Sequence, residues 1–174
     1  MKLENLLSEK RSVILKKWFY LILETYPADT SKFLKNEKNR FTNPVGYTIS
    51  KEIEAIYEEL LHGMDSDKIF PLLDNIIRIR AIQSFSPSQA IVFTFLLKKA
   101  IREELESEIR ENCIFEELLE FESRIDKLAL LSFDIYMKCR EKLYEIRAEE
   151  VRNRSFRLLE RANLIYGDPR SGQK

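Results

Sequence analysis

The chain has 174 residues, and its 29 basic and 29 acidic side chains give it a formal net charge of zero. A neutral chain has no global field that would draw it to nucleic acid or to an anionic membrane surface. Its 4 glycines and 5 prolines are too few for the many tight turns of a sheet protein, so the composition predicts an all-α fold with few connections.

Apolar residues recur at helical spacing along the first half of the chain. The first amphipathic pattern ends at Pro27, because the residue before a proline disfavours the α conformation. A later one closes at Gly63, which suits the left-handed position after a helix. The helices predicted for this half span about residues 3–26, 29–34, 47–62 and 65–84.

The second half contains the sharpest helix start in the sequence. Ser86 can cap a helix, Pro87 fits its first position, and Gln89 can reach back to the Ser86 N–H. Neither glycine nor proline occurs from residue 88 to residue 166. One straight helix of that length would exceed any globular body, so we expect a break near residues 110–113. The predicted helices span about residues 87–109 and 114–164.

The long last helix carries apolar residues on more than the single side that a one-sided helix needs. One side can face the core of the domain, and a second copy of the chain is the simplest cover for the other. A helix buried on both sides within one chain is the alternative. The interface predicted for the homodimer consists of Phe121, Leu128, Leu131 and Ile135.

Beyond Leu143 the apolar pattern thins to a heptad seam that contains small and polar residues. The seam comprises Tyr144, Ala148, Val151, Ser155, Leu158, Ala162 and Ile165. It is compatible with a coiled coil or with a solvated helix. We therefore divide the chain into a domain of residues 1–142, a helical extension of residues 143–166 and a disordered tail of residues 167–174.

No group of residues predicts catalysis or a metal site. His62 is the only histidine, and a lone histidine near a helix end is far more often an exposed residue than a haem or metal ligand. Cys113 and Cys139 form no metal or redox motif, although a response to oxidants stays open. No nucleotide-binding or hydrolase motif occurs, so we expect a protein that is not an enzyme and holds no cofactor.

Two arginines interrupt the apolar stretch IIRIRAIQSF. One of Arg78 and Arg80 should point inward, and a buried cation needs a partner, for which Asp126 and Asp134 are candidates. A structural ion pair is one interpretation. The other is a ligand or anion pocket formed by Arg78, Arg80, Gln83 and Ser88.

Three stretches carry a resemblance to a known family. They are IRIRAIQSFSPSQA at residues 77–90, FTNPVG at residues 41–46 and RIDKLALLSFDIY at residues 124–136. Together they resemble the N-terminal domain family of RsbR/RsbD-type proteins, over about residues 9–142. The resemblance implies a sensory input domain of the kind found on RsbT co-antagonists in the stressosome, with a dimeric, globin-like helical bundle that holds no haem.

The chain departs from full-length RsbR proteins because it leaves no room for their C-terminal STAS domain. We therefore expect a stand-alone input module that forms a homodimer and binds an unidentified regulatory protein in a stress- or metabolism-linked system. The alternative is a sensor that binds haem or a small molecule in the globin-like body. Apolar runs too short for a bilayer span and a start that lacks a signal-peptide core predict a cytoplasmic location without membrane insertion.

Overall fold

The structure is a computed structural model that describes residues 2–35, 41–83 and 85–162. The described residues form eight α-helices and contain no strand, which confirms the all-α class and the long final helix. In chain order the helices are α1 Leu3–Glu9, α2 Arg11–Leu23, α3 Ala28–Leu34, α4 Pro44–Leu61, α5 Ser66–Ile82, α6 Pro87–Glu104, α7 Glu106–Asn112 and α8 Phe115–Arg161.

Three of these helices, α4, α5 and α6, begin at a residue whose side chain caps the helix. The Ser86 hydroxyl accepts from the Gln89 N–H at 3.3 Å, and the Gln89 side chain accepts from the Ser86 N–H at 3.0 Å, which confirms the capping box of α6. Asp65 caps α5 by accepting from the Asp67 N–H. Each cap satisfies a backbone donor that has no partner inside the helix.

Asn43 begins α4 three residues earlier than the apolar pattern predicts. Its side-chain oxygen accepts from the Gly46 N–H at 2.9 Å, and its amide nitrogen donates to the Leu34 carbonyl, also at 2.9 Å. One buried side chain thus closes the end of α3 and opens α4. A Cβ at Gly46 would lie 2.6 Å from the Leu34 carbonyl oxygen, so this close approach requires glycine.

The core lies between α2, α4, α5 and α6, with α2 packed against both α4 and α6. Trp18 of α2 is fully buried and donates its indole N–H to the Phe93 carbonyl of α6 at 2.6 Å. Tyr57 of α4 is equally buried and donates to the Leu7 carbonyl at 2.9 Å. Burial raises the pKa of the Tyr57 hydroxyl. Both aromatic residues therefore bury their rings while each polar atom keeps a partner.

The predicted long helices differ from the observed ones at one break and agree with them at another. The helix predicted over residues 87–109 is interrupted at Leu105, which is fully buried and separates α6 from α7. The break expected near residues 110–113 occurs at Cys113, whose φ of 53° is left-handed. Glycine is the usual residue for that conformation, so the sequence indicates the region of this break but not the residue at which it occurs.

The first part of α8 is fixed to the other helices by polar contacts. Arg124 donates to the Leu60 carbonyl at 2.9 Å and closes the end of α4. Glu122 is nearly buried and receives two hydrogen bonds from Arg102 of α6, at 2.6 and 2.7 Å. Tyr136 donates to the Phe85 carbonyl at 2.6 Å. One side of α8 is therefore part of the domain core.

The chain divides into two compact units, Met1–Met137 and Lys138–Lys174. In the second unit the described residues up to Arg161 continue α8, and every residue from Tyr144 to Ala162 is exposed. The extension predicted over residues 143–166 is thus helical to residue 161. Residues 163–166 and the tail predicted over residues 167–174 lie outside the described residues. No helix in the described ranges is long and apolar enough to cross a membrane.

Candidate functional site

Arg80 is a fully buried arginine at the junction of α2, α5 and α6. Its Nη1 donates to the Gln89 carbonyl at 2.8 Å, and its Nη2 donates to the Thr25 hydroxyl at 3.0 Å. The sequence therefore predicts correctly that one arginine of the pair points inward. Arg80 connects the end of α2 to the first turn of α6.

Three aromatic rings surround the Arg80 guanidinium. Its Cζ lies 5.2 Å from the ring centroid of Tyr26, 5.0 Å from that of Phe85 and 5.5 Å from that of Phe93. The negative faces of aromatic rings attract a cation, most strongly where water is excluded. We call these four residues the Arg80 cluster.

The expected carboxylate partner of Arg80 is not found among the described residues. Asp126, one of the two candidates, instead binds Lys98 at 2.6 Å, and no described carboxylate forms an ion pair with Arg80. The prediction of a buried Asp–Arg pair is wrong because the rings and two neutral oxygens take the place of the anion. Burial lowers the pKa of the guanidinium and raises that of the Tyr26 hydroxyl.

Two buried polar atoms of the Arg80 cluster lack hydrogen-bond partners in the described structure. They are the Arg80 Nε and the Tyr26 Oη. A buried donor left without an acceptor costs the full desolvation of that group. The desolvation of these two atoms therefore offsets part of the stabilisation that the rings and the two oxygens provide.

The other three residues of the predicted anion pocket are exposed and have separate surroundings. Arg78 binds Asp74 of its own helix at 2.6 Å. Ser88 lies with its hydroxyl 3.2 Å from that of Ser86, and Gln83 is the exposed cap residue after α5. A pocket made by all four residues therefore stays a prediction, and the described structure places only Arg80 in a buried setting.

His62 is exposed at the end of α4. Its Nδ1 lies 2.7 Å from the Glu58 carbonyl of the same helix, a contact that occupies one of its two ring nitrogens. The described residues contain no group of three or more histidine, cysteine or acidic side chains that could hold a metal. Cys113 is exposed and Cys139 is half-buried, and they form no disulfide.

The side of α8 that faces away from the core bears a line of exposed apolar residues. It includes Leu119 and Leu130, which are 63% and 69% exposed. The neighbouring α6 adds the exposed Phe95, whose ring lies 5.9 Å from the Nζ of Lys98. We define the outer face as Phe95, Phe115, Leu119, Leu130, Phe133 and Met137.

The predicted dimer-interface residues lie mainly on the opposite side of α8. Phe121, Leu128 and Ile135 are buried in the core of this chain, and Leu131 is half-buried. The periodicity identifies two apolar sides but does not say which one meets the rest of the domain. The apolar side of α8 that faces away from the core carries four outer-face residues, Leu119, Leu130, Phe133 and Met137. The remaining two, Phe95 and Phe115, are not part of the interface predicted from the sequence.

A family model matches residues 12–151 of the chain, and its description is RsbT co-antagonist protein rsbRD N-terminal domain. The matched range covers most of the first unit, including the Arg80 cluster and the outer face, and extends into the second unit. No curated protein and no solved structure shows significant similarity to the chain.

Proposed function

Because the chain belongs to the RsbT co-antagonist protein rsbRD N-terminal domain family, we propose that it is a dimeric signalling module that acts by binding other proteins. The family consists of regulatory sensory domains of the stressosome and is not an enzyme family. The observation that carries the dimer is the outer face. The interface proposed here therefore replaces Phe121, Leu128, Leu131 and Ile135 with the exposed side of the same helix.

The outer face groups exposed apolar side chains mostly on one side of α8, which supports an interface there. Leu119, Leu130 and Phe133 expose 63%, 69% and 43% of their surface on one side of a single helix. Single exposed apolar residues are normal, whereas a contiguous patch marks an interaction site. Burial of the part of each side chain that is still exposed contributes about 1–2 kcal/mol before the cost of association.

A second copy of the chain fits this face because the face carries both signs of charge. Lys98 and Asp126 lie side by side within it, with Nζ and Oδ1 2.6 Å apart. In a two-fold dimer each surface meets itself, so a self-complementary surface must present donors and acceptors together. A rotated copy can place its Asp126 against Lys98 of the first chain.

The test compares the solution mass of the chain with that of the double variant Leu130→Glu/Phe133→Glu. We expect light scattering to give twice the 20.7 kDa chain mass for the unmodified protein. We expect the variant to be monomeric with unchanged helix content, because both side chains lie among the exposed residues of α8. A desolvated pair of carboxylates at a two-fold contact opposes association.

The matched control is Phe70→Glu/Ile82→Glu, which introduces the same two charges at exposed apolar positions of α5. This control should keep the mass of the unmodified chain. A monomeric unmodified protein, or a Leu130→Glu/Phe133→Glu variant that stays dimeric, would refute the dimer through this face.

Three narrower expectations stay predictions. The cytoplasmic location and the pocket of Arg78, Arg80, Gln83 and Ser88 are two of them. The third is the alternative sensor of haem or a small molecule. A Soret band that disappears when His62 is replaced would support the haem form of this alternative.

A further inference from the structure

The second unit presents a long exposed helix with an apolar seam. All residues from Tyr144 to Ala162 are exposed, and the seam recurs at alternating steps of four and three. In heptad notation Tyr144, Val151 and Leu158 occupy position d, and the small residues Ala148, Ser155 and Ala162 occupy position a. An isolated helix with this much exposed apolar surface gains most of its stability from packing against something else.

Arginines occupy one edge of this seam at every heptad. Arg140, Arg147, Arg154 and Arg161 follow one another at intervals of seven residues, at position g. Among the described residues no ion pair involves Arg147, Arg154 or Arg161, whereas Arg152 at position e binds Glu149 at 3.3 Å. Three acidic residues lie away from this edge: Glu145 is at position e on the opposite edge, and Glu149 and Glu160 are at positions b and f, away from the seam. A row of cations therefore flanks the apolar seam.

Pairing of this helix with itself fits poorly in either direction. In a parallel pair Arg147 faces Arg152 of the other copy, and each layer at position a sets one small residue against another. In an antiparallel pair the layers alternate large with small, but the arginines at position g face the same arginines. Like charges opposed across a seam destabilise a specific pairing. A second copy is thus not the occupant that this surface suits.

We propose that the second unit docks an acidic amphipathic helix of another protein, one that carries large apolar residues on a seven-residue repeat and Asp or Glu beside them. Large side chains of the partner fill the spaces over Ala148 and Ser155, and its carboxylates meet Arg147 and Arg154. The seven-residue repeat of the seam suits a helical partner, because a sustained repeat of seven is the pattern of helices that pack along one another.

This inference names the partner chemistry of the proposed signalling module and rests on that proposal, yet it uses a surface separate from the outer face. Its test uses two synthetic 28-residue peptides that share leucine at both core positions. One peptide has glutamate at every flanking position, and the other has lysine. We expect the full-length chain to bind the glutamate peptide at least about tenfold more tightly than the lysine peptide, with weaker binding as salt is raised.

Charge reversal locates the binding to the arginine edge. The variant Arg147→Glu/Arg154→Glu should reverse the preference between the two peptides. Its matched control, Arg78→Glu/Arg110→Glu, changes the same charge at exposed positions of the first unit and should keep the preference for glutamate. Light scattering on each variant reports the dimer separately from peptide binding. A variant that loses the dimer but still binds the peptide counts against the dimer through the outer face and leaves the docking proposal intact.

Three results would overturn the proposal. Equal binding of the two peptides would show that the arginine edge does not select charge. Binding of both peptides that persists unchanged in Arg147→Glu/Arg154→Glu would place the contact elsewhere. Tighter binding to vesicles of equal phosphatidylcholine and phosphatidylglycerol than to the glutamate peptide would make the occupant a lipid surface.

Discussion

Arg80 shows how a single residue can hold a charge in the core without an opposite charge beside it. Three rings and two neutral oxygens replace the water that the guanidinium loses. These contacts offset only part of the desolvation, since the Nε is left without a partner. One of the two acceptors has a second hydrogen bond, because the Thr25 hydroxyl donates to the Ile22 carbonyl at 2.6 Å. We therefore expect the charge of Arg80 to contribute less to stability than its volume does.

The prediction that follows separates charge from volume. Arg80→Met keeps most of the volume and places a thioether against the rings, so the free energy of unfolding should stay within about 1 kcal/mol of the unmodified value or rise. Arg80→Ala should lose about 3 kcal/mol because it leaves a cavity. Urea denaturation of both variants measures the difference. A methionine variant as unstable as the alanine variant would show that the cation itself holds the junction.

Lys10 and Glu108 form the second residue-level feature with a measurable consequence. Lys10 lies at the break between α1 and α2, where it binds the Glu108 carboxylate and donates to the Glu104 carbonyl at 3.1 Å. The hydrogen bond from Lys10, with others from the Glu108 backbone and Ser107, lowers the pKa of Glu108 from 4.5 to about 2. The Glu108 side chain is half-buried at the surface, so solvent still screens part of its effect on stability.

Lys10→Met should move the Glu108 pKa back toward 4.5 in a carboxyl-resolved NMR titration. Because the folded-state pKa is lowered, the stabilisation from Glu108 is present above the unfolded value of about 4.5 and is lost as the pH falls toward 2. The stability difference between the unmodified chain and the variant should therefore shrink across that window. An unchanged pKa in Lys10→Met would show that Lys10 is not the main cause of the shift.

At the scale of the elements, Asn43 connects two helices through one buried side chain. It accepts from the Gly46 N–H and donates to the Leu34 and Phe33 carbonyls, at 2.9 and 3.3 Å. The asparagine thus serves the start of α4 and the end of α3 together. Few other side chains offer an acceptor and two donors in so short a reach.

Asn43→Ala should lower the free energy of unfolding by about 2 kcal/mol or more, because it removes the N-cap and leaves the Leu34 carbonyl without its donor. Asn43→Ser keeps an acceptor for the Gly46 N–H and should lose less. Thermal unfolding by circular dichroism ranks the two. Equal losses would mean that only the contacts to α3 matter for stability.

The sequence predicts the elements better than it predicts the site. Caps such as Ser86 and the turn at Gly63 are local signals, so the class and most helix positions follow from them. The partner of Arg80 is not local, since its rings come from residues 26, 85 and 93 on separate segments. Likewise the spacing on α8 shows two apolar sides, yet only the packed structure reveals that Leu128 is internal and Leu130 external.

At the scale of the whole molecule, the proposed module has two surfaces with different chemistry. The outer face of the first unit combines apolar residues with a Lys98–Asp126 pair and suits a second copy. The exposed helix of the second unit combines an apolar seam with a row of arginines and suits an acidic partner. Charge thus distinguishes self-association from partner binding, as expected of a regulatory module that must do both.

Disulfide trapping across the outer face tests the central claim most directly. In a Cys113→Ser/Cys139→Ser background, Leu130, Phe133 and Met137 are each replaced by cysteine, with Ile82→Cys on α5 as the control. Under mild oxidation at least one of the three should give a dimer band on a non-reducing gel well before the control does. If none of the three links faster than Ile82→Cys, the outer faces do not meet and the proposed dimer is contradicted.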